Sequence, residues 1–260
     1  MSGLVEVPLL VVLGIFGLLV GSFLNVVISR LPAGESVVTP RSRCPSCRTL
    51  IAWYDNVPVV SYVVLGGKCR KCRTRISFRY PAIELTTAVA FIIQGLAAEQ
   101  APWPLLVRIV FTALLIALFG TDLETQRLPN VLTYSGVVLG LAFSLAFPPG
   151  IQSSLIGAAL GAGSLLAVRW AWRLVRREEA LGLGDVKMLA MIGAFLGWQQ
   201  VPVVLFLSSV AGAVVGISLI AMRGTSLRAR LPFGTFLALA AFAASLIGDA
   251  LFHWYASLYA

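Results

Sequence analysis

Two aspartates in an otherwise apolar chain are the residues that most clearly suggest chemistry. Asp185 stands in the stretch LGLGDVK, where Gly182 and Gly184 precede it in a GxGD pattern, and Asp122 stands in FGTDLETQ. Each lies at the end of an apolar run, so we expect both at helix ends, at one level of a membrane. Neighbouring carboxylates share one proton, because like charges a few ångströms apart resist ionising together. One can then accept a proton from water while the other donates one.

The surrounding residues fit this use but leave simpler roles open. The two glycines permit the close approach of an extended peptide that a Cβ would block, and Lys187 belongs to the same supporting loop. Asp185 could instead cap a helix N-terminus, and Asp122 could pair with Arg127. The chain has one histidine, no HExxH pattern and no serine within a basic partner motif. Among hydrolytic mechanisms, the residues therefore favour an aspartate pair.

All four cysteines occur as CxxC motifs in one basic loop. They are Cys44, Cys47, Cys69 and Cys72, with 21 residues between the two pairs. Each CxxC motif is expected to form a tight turn, here called a knuckle, that presents two thiolates to one cation. Two knuckles therefore predict a tetrahedral metal site, with zinc the expected ion. Flanking basic residues such as Arg48 and Arg73 would help to keep the thiols ionised. Four protein ligands leave no coordination position for a substrate, so we expect a structural metal.

The composition predicts a polytopic membrane protein. Of the 260 residues, 58% are hydrophobic and 12% charged, with a mean hydropathy of +0.91, whereas about a quarter of the residues in soluble domains are charged. The net charge of +9 comes from basic residues in alternate loops, around 41–79, 169–177 and 223–230. That distribution follows the positive-inside rule and is explained by topology, so we expect no nucleic-acid partner.

Eight apolar runs are candidates for transmembrane helices. We predict spans at 7–28, 82–98, 104–120, 131–147, 151–172, 186–198, 201–222 and 233–255. The basic loops then face the cytoplasm and both termini lie outside. The expected architecture is an all-α membrane protein in three parts: a first helix in residues 1–30, a cytoplasmic four-cysteine metal-binding region in 31–81, and a multi-helix membrane domain in 82–260. Glycine pairs at spacing four, such as Gly157 and Gly161, predict close helix packing within the bundle.

Taken together, these motifs resemble those of the bacterial prepilin peptidases, also called type IV leader peptidases. The similar blocks are GSFLNVVISRLP, the two CxxC pairs, RYPAIELTTAV, DLETQRLPN, GLGDVK and PFGTFLALAA, in that order from Gly21 to Ala241. The resemblance implies an intramembrane aspartic protease whose catalytic aspartates correspond to Asp122 and Asp185. In relatives the last block usually reads PFGPF, so Thr235 is a mild departure.

The resemblance also implies a substrate and a second activity. The substrate would be a type IV prepilin or a pseudopilin of a type II secretion or competence system, cut after a glycine between its basic leader and its hydrophobic helix at the bacterial inner membrane. Members of this length commonly also methylate the new N-terminal amine with S-adenosylmethionine, an activity associated with the Cys-containing region. Asn25 and Glu84, at the membrane junctions of that loop, are the candidates for supporting methyl transfer, although Glu84 could equally be a buried hydrogen-bond partner.

Two interpretations come from other classes of protein. A transporter or channel would use Asp122, Asp185 and Arg127 as an ion path, with the metal loop as a gate. It does not explain why both aspartates lie at helix ends or why glycines precede one of them. A membrane scaffold without proteolytic activity predicts instead that Asp122→Asn and Asp185→Asn are tolerated.

Overall fold

The computed structural model describes residues 7–98, 104–176, 181–223 and 231–257, and in these ranges the chain is helical. The α-helices are α1 (Val7–Arg30), α2 (Val60–Val64), α3 (Arg79–Ala98), α4 (Leu105–Thr125), α5 (Asn130–Ser144), α6 (Ile151–Arg176), α7 (Leu183–Leu196), α8 (Gln200–Arg223) and α9 (Phe233–Ser257). Extended pairing within the described ranges is limited to the isolated bridges Arg43–Leu50 and Lys68–Arg75. The predicted all-α class is confirmed.

Every predicted span coincides with a helix, but several ends differ. The differences that matter are in α4, which continues to Thr125 instead of ending at residue 120, and in α7, which begins at Leu183 instead of residue 186. Within the described residues, five helices are long and apolar enough to cross a membrane: α1, α3, α4, α6 and α8. With 14 residues, α7 is only about 21 Å long, less than the thickness of the hydrocarbon layer. The chain is a multi-pass membrane protein, whereas the count of eight spans stays a prediction.

The orientation of the chain also stays a prediction. The terminal residues 1–6 and 258–260 lie outside the described residues, as do residue 177 and residues 224–230 of the predicted basic loops. The three-part division into 1–30, 31–81 and 82–260 likewise stays a prediction. By its internal packing the chain forms two compact units, residues 1–117 and 118–260.

In the unit formed by residues 1–117, α1 packs closely along α3. Glycine makes this approach possible, because a Cβ on Gly21 would lie 2.7 Å from the Cα of Glu84. Arg108 is a basic residue that lies within the predicted span 104–120, away from the basic loops. It is buried at the start of α4, where its Nη1 donates a hydrogen bond to Gln94 Oε1 at 2.8 Å. The charge is therefore enclosed by protein.

In the unit formed by residues 118–260, α7 is the central helix. It contacts α5, α6, α8 and α9, and the side chains of Met188, Leu189 and Ile192 are fully buried. On α6, a Cβ at Gly161 would lie 2.5 Å from the carbonyl oxygen of Leu189. The close packing predicted for the α6 glycines is thus confirmed. Because protein surrounds α7, this helix does not have to match the lipid thickness by itself.

Candidate active site

Asp122 lies in the last turn of α4. The helix continues past residue 120 because no helix-breaking residue intervenes. The hydroxyls of Thr121 and Thr125 donate to carbonyls of the preceding turn at 3.1 and 2.7 Å. The chain leaves the helix at Gln126, which has a positive φ of 51°. The helix thus ends five residues later than the predicted span: Asp122 lies at a helix end, as expected, but within the last turn, and it is only 4% exposed.

The carboxylate of Asp122 is bound by the start of α9. Its Oδ2 accepts one hydrogen bond from the backbone N–H of Thr235 at 2.7 Å and another from Thr235 Oγ1 at 3.1 Å. Gly234 lies against the same group, since a Cβ there would approach Asp122 Cγ to 3.0 Å. The first N–H groups of a helix have no intrahelical acceptor and carry partial positive charge, so they suit an anion. Asp122 therefore has partners other than Arg127, with which it forms no ion pair.

Asp185 is the third residue of α7, and the N-cap of that helix is Gly182. The half-buried carboxylate interacts with the backbone N–H of Gly182. In a capping box, the side chain of residue N3 likewise contacts the backbone N–H of the N-cap residue. Asp185 thus helps to cap its helix, but it does so from N3 and not as the N-cap itself. A Cβ on Gly182 would lie 3.2 Å from Asp185 Oδ2, so the glycine leaves space beside the acid.

The structure brings the two aspartates together from α4 and α7. The carboxylates of Asp122 and Asp185 are close enough to repel each other electrostatically. Leu128 joins their surroundings: a Cβ on Gly184 would lie 3.0 Å from Leu128 Cβ, and one on Gly234 would lie 3.1 Å from Leu128 Cδ1. One leucine thus occupies the space that both glycines leave open. A side chain at either glycine would have to displace it.

Lys187 supports this region from the side. Its Nζ donates a hydrogen bond to Asn130 Oδ1 at 2.7 Å and lies 5.1 Å from the centre of the Tyr134 ring, which ties the start of α7 to the start of α5. Thr235 and Leu128 are the site residues that sequence reasoning missed. Both lie in blocks that carry the family resemblance, but no local pattern shows that they reach the aspartates.

The four cysteines converge as the sequence predicts. Their Sγ atoms all lie within 4.8 Å of one another, those of Cys44 and Cys72 are 3.7 Å apart, and none of the four is in a disulfide. Sulfur atoms around a tetrahedral zinc, with bonds of about 2.3 Å, are about 3.8 Å apart. The donor set and its spacing therefore fit zinc.

Each CxxC pair lies on a knuckle of the same backbone form. In the first, the N–H of Cys44 donates to Thr49 O and the N–H of Arg48 donates to Cys44 O, and the second knuckle repeats this pattern 25 residues later. Arg48 and its counterpart Arg73 have φ values of 56° and 58°, so they occupy the left-handed position of each turn.

Hydrogen bonds with threonine hydroxyls lower the pKa of two of the thiols. Cys72 Sγ lies 3.3 Å from Thr74 Oγ1, and hydrogen bonding to Thr74 lowers the pKa of Cys72 to about 6. Hydrogen bonding to Thr49 likewise lowers the pKa of Cys47. The thiolate is the metal-binding form, so both contacts favour metal binding at neutral pH. These contacts supply the effect that the sequence assigned to the flanking arginines.

The two candidates for methyl transfer are both buried where the loop meets α1 and α3. Glu84 Oε2 accepts a hydrogen bond from the N–H of Val59 at 2.8 Å, which fixes a residue with an unfavourable φ of 60° and ψ of −48°. Asn25 Nδ2 donates to Tyr80 O at 3.0 Å, whereas Asn25 Oδ1 has no hydrogen-bond partner among the described residues. Glu84 thus has the hydrogen-bonding role that the sequence left open, and Asn25 retains an unused acceptor.

Comparison with known families divides the chain into two matched parts. Residues 15–97 match the bacterial peptidase A24 N-terminal domain, and residues 109–217 match the type IV leader peptidase family. The membrane fold and these matches define the class of protein as a membrane peptidase. The chain belongs to the type IV leader peptidase family, as its curated relatives also show.

These relatives are named prepilin leader peptidase/N-methyltransferase, and three of them show the extent of the similarity. The one from Aeromonas salmonicida (strain A449) is 37% identical over 94% of this chain and 92% of its own length. The one from Pseudomonas aeruginosa is 38% identical over 90% and 89%, and the one from Myxococcus xanthus (strain DK1622) is 42% identical over 82% and 64%. No solved structure matches the chain.

Proposed function

We propose that this peptidase removes the leader from type IV prepilins or pseudopilins, with Asp122 and Asp185 as its catalytic pair. The observation that supports this most directly is that Asp122 on α4 and Asp185 on α7 are close enough to act on each other electrostatically, in the region of Gly184 and Gly234. The relatives named above are prepilin leader peptidases, and their names supply the substrate class. The cut would follow a glycine at the junction of the basic leader and the hydrophobic helix.

The two aspartates divide the acid and base roles between them. Two hydrogen bonds donated by Thr235 stabilise the charge on Asp122, so the shared proton is assigned to Asp185. Asp122 accepts a proton from a water molecule whose oxygen attacks the scissile carbonyl carbon, while Asp185 donates its proton to the carbonyl oxygen. As the intermediate collapses, the C–N bond breaks, the proton on Asp122 passes to the leaving amine, and Asp185 regains a proton from the re-forming carbonyl.

One glycine gives the substrate access to this pair. Gly182, the N-cap of α7, carries no side chain beside Asp185 Oδ2, whereas Leu128 fills the space at Gly184. An extended substrate backbone can therefore approach closely. A glycine before the scissile bond of the substrate would help in the same way, because it adds no side chain near the aspartates.

The proposed location of both sites is the cytoplasmic face of the bacterial inner membrane. The loop between α1 and α3 carries the largest group of basic residues in the chain, and positively charged loops remain inside during insertion. A prepilin presents its basic leader on the same side. The substrate bond would then lie at the depth of the helix ends that carry Asp122 and Asp185.

The dyad is tested by cleavage of a model prepilin with membranes that contain the wild type, Asp122→Asn or Asp185→Asn. Each variant keeps the side-chain size but removes the proton-transfer role, so we expect cleavage to fall by about 10²–10⁴-fold. Methylation of a precut pilin peptide should persist in both variants and controls for folding. A variant that still cuts near the wild-type rate would refute the dyad and favour a transporter or scaffold.

The second activity that we propose is N-methylation of the cleaved pilin, with S-adenosylmethionine as donor and zinc holding the loop in shape. A cavity of about 290 Å³ lies at the C-terminal end of α1, lined among others by Arg41, Ser42 and Trp53. A guanidinium can bind the carboxylate of the donor, and an indole can stack on its adenine. The residues therefore fit this cofactor, which would supply an electrophilic methyl group to the pilin amine.

Direct binding of radiolabelled S-adenosylmethionine tests this cavity without relying on turnover. Arg41→Ala and Trp53→Ala should each weaken binding at least about 10-fold, the effect of losing one good contact. Trp170→Ala removes another exposed tryptophan, on α6, and should bind the donor normally. Normal binding by both cavity variants would place the donor elsewhere.

A further inference from the structure

The start of α9 donates two hydrogen bonds to the aspartate site in addition to packing against it. Thr235 is the third residue of α9, so its backbone N–H has no acceptor within its own helix. That N–H and the Thr235 hydroxyl both donate to the same oxygen, Asp122 Oδ2. Asp122 is only 4% exposed and Thr235 only 6%, so water competes little for either contact.

We propose that Thr235 is a positioning residue of the peptidase reaction, which holds Asp122 in the charged form that activates water. The proposal rests on the proposed dyad. A hydrogen bond donated to a carboxylate favours its ionised form, and the positive end of a helix acts in the same direction. Thr235 thus decides which of the two aspartates keeps the shared proton, and the dyad receives a fixed base and a fixed acid.

The other charged groups near Asp122 do not stabilise its negative charge, so α9 supplies that stabilisation. The charge of Asp122 acts on Asp185, which lies on α7, and opposes ionisation of Asp185. Glu124, on the same helix as Asp122, and Arg127, in the following loop, are both exposed. Lys187 on α7 is held by Asn130 and the Tyr134 ring. The donors from α9 therefore offset part of the cost of burying the charge on Asp122.

The test is the pH profile of prepilin cleavage by three variants of one residue. Thr235→Val keeps the shape and the N–H but removes the hydroxyl, and Thr235→Ser keeps both donors. Thr235→Pro removes both, and the first turn of a helix tolerates proline. Asp122 must be charged to accept a proton from water, and each hydrogen bond that it accepts favours the charged form. Loss of a donor therefore moves the acidic limb of the pH profile of kcat to higher pH.

We expect a shift of about one pH unit for Thr235→Val, a larger shift for Thr235→Pro and none for Thr235→Ser. At the acid end of the profile, a shift of one unit is a 10-fold loss of kcat, while KM should stay close to the wild-type value. Ser208→Ala is the matched control, because that buried hydroxyl donates to the Leu205 carbonyl of its own helix. Its profile should be that of the wild type.

Each outcome separates this proposal from the dyad on which it rests. If Thr235→Val and Thr235→Pro keep the wild-type acidic limb while Asp122→Asn is inactive, the dyad stands and the role of Thr235 is refuted. A uniform loss of rate at every pH would also refute it, because that result indicates a structural role only. If Asp122→Asn cleaves normally, the proposed dyad itself fails.

Discussion

The four-cysteine loop and the aspartate site are built in opposite ways. The four cysteines lie on two short knuckles that repeat the same backbone pattern, and each knuckle is formed by residues close in sequence. The aspartate site joins α4, α7 and α9, and the contact between Thr235 and Asp122 spans 113 residues. The first site depends on local turns and one ion, whereas the second depends on how long helices pack.

This difference predicts how each site fails. Binding of a structural zinc contributes about 10–16 kcal/mol in small zinc peptides, so a four-cysteine site is lost almost completely when one ligand is removed. The aspartate site is supported by many apolar contacts along the buried helix α7. Small changes there should shift the aspartates slightly and reduce the rate by degrees.

The largest effect is expected from Cys69→Ser, which removes one thiolate from the four-sulfur cluster. Metal content measured by elemental analysis should fall to near zero, and residues 31–78 should become sensitive to trypsin. Methyl transfer should be lost, while prepilin cleavage falls far less. Ser46→Ala lies inside the first knuckle without being a ligand, so it should keep its metal. Full metal content in Cys69→Ser would contradict a four-cysteine site.

A graded effect is expected from Gly234→Ala in the aspartate site. The added Cβ would lie 3.0 Å from Asp122 Oδ2 and 3.1 Å from Leu128 Cδ1, so one of them must move. A displacement of this size should lower kcat about 10- to 100-fold. Gly163→Ala on α6 is the matched control, because its Cβ would meet nothing within 4 Å. Equal rates for the two variants would show that Gly234 is not needed for close packing.

The same contrast explains what could be predicted from sequence. The CxxC spacing identified the four cysteines that converge into one cluster, and the apolar runs located the long helices. The location of Asp122 at a helix end was predicted. The later end of α4 was not, because helix ends depend on a few weak signals; the chain leaves this helix at Gln126, whose φ is positive. Thr235 was described only as a mild departure from a family pattern. Its contact with Asp122 results from packing of distant helices, which no local pattern encodes.

A smaller effect is expected where the loop is anchored to the helices. Glu84→Ala would remove the acceptor that holds the N–H of Val59 and should destabilise the loop by about 1–3 kcal/mol. Val59→Gly should relieve the unfavourable backbone angles and keep or raise stability. Thermal unfolding in detergent, followed by metal release, compares the two. Equal loss of stability in both would show that the strained turn is not what Glu84 supports.

The smallest effect is expected from the ion pair between Asp55 and Arg70, which joins the second knuckle to the turn at Trp53–Asn56. Arg70 Nε and Nη2 hold the Asp55 carboxylate at 2.6 to 3.1 Å. Hydrogen bonding to Arg70, followed by its charge, lowers the pKa of Asp55. A lowered folded-state pKa means that the pair stabilises the loop at neutral pH and that this contribution is lost as the pH falls below about 4.

Asp55→Asn should therefore cause a small loss of loop stability at pH 7, because half of the Arg70 side chain is exposed and solvent screens the pair. The difference from wild type should shrink in high salt and as the pH approaches the folded-state pKa. Arg73→Gln removes a neighbouring positive charge that has no part in this pair, so its effect should lack that dependence on pH. A large loss for Asp55→Asn would mean that the knuckles rely on long-range contacts much as the aspartates do, and the contrast between the two sites would weaken.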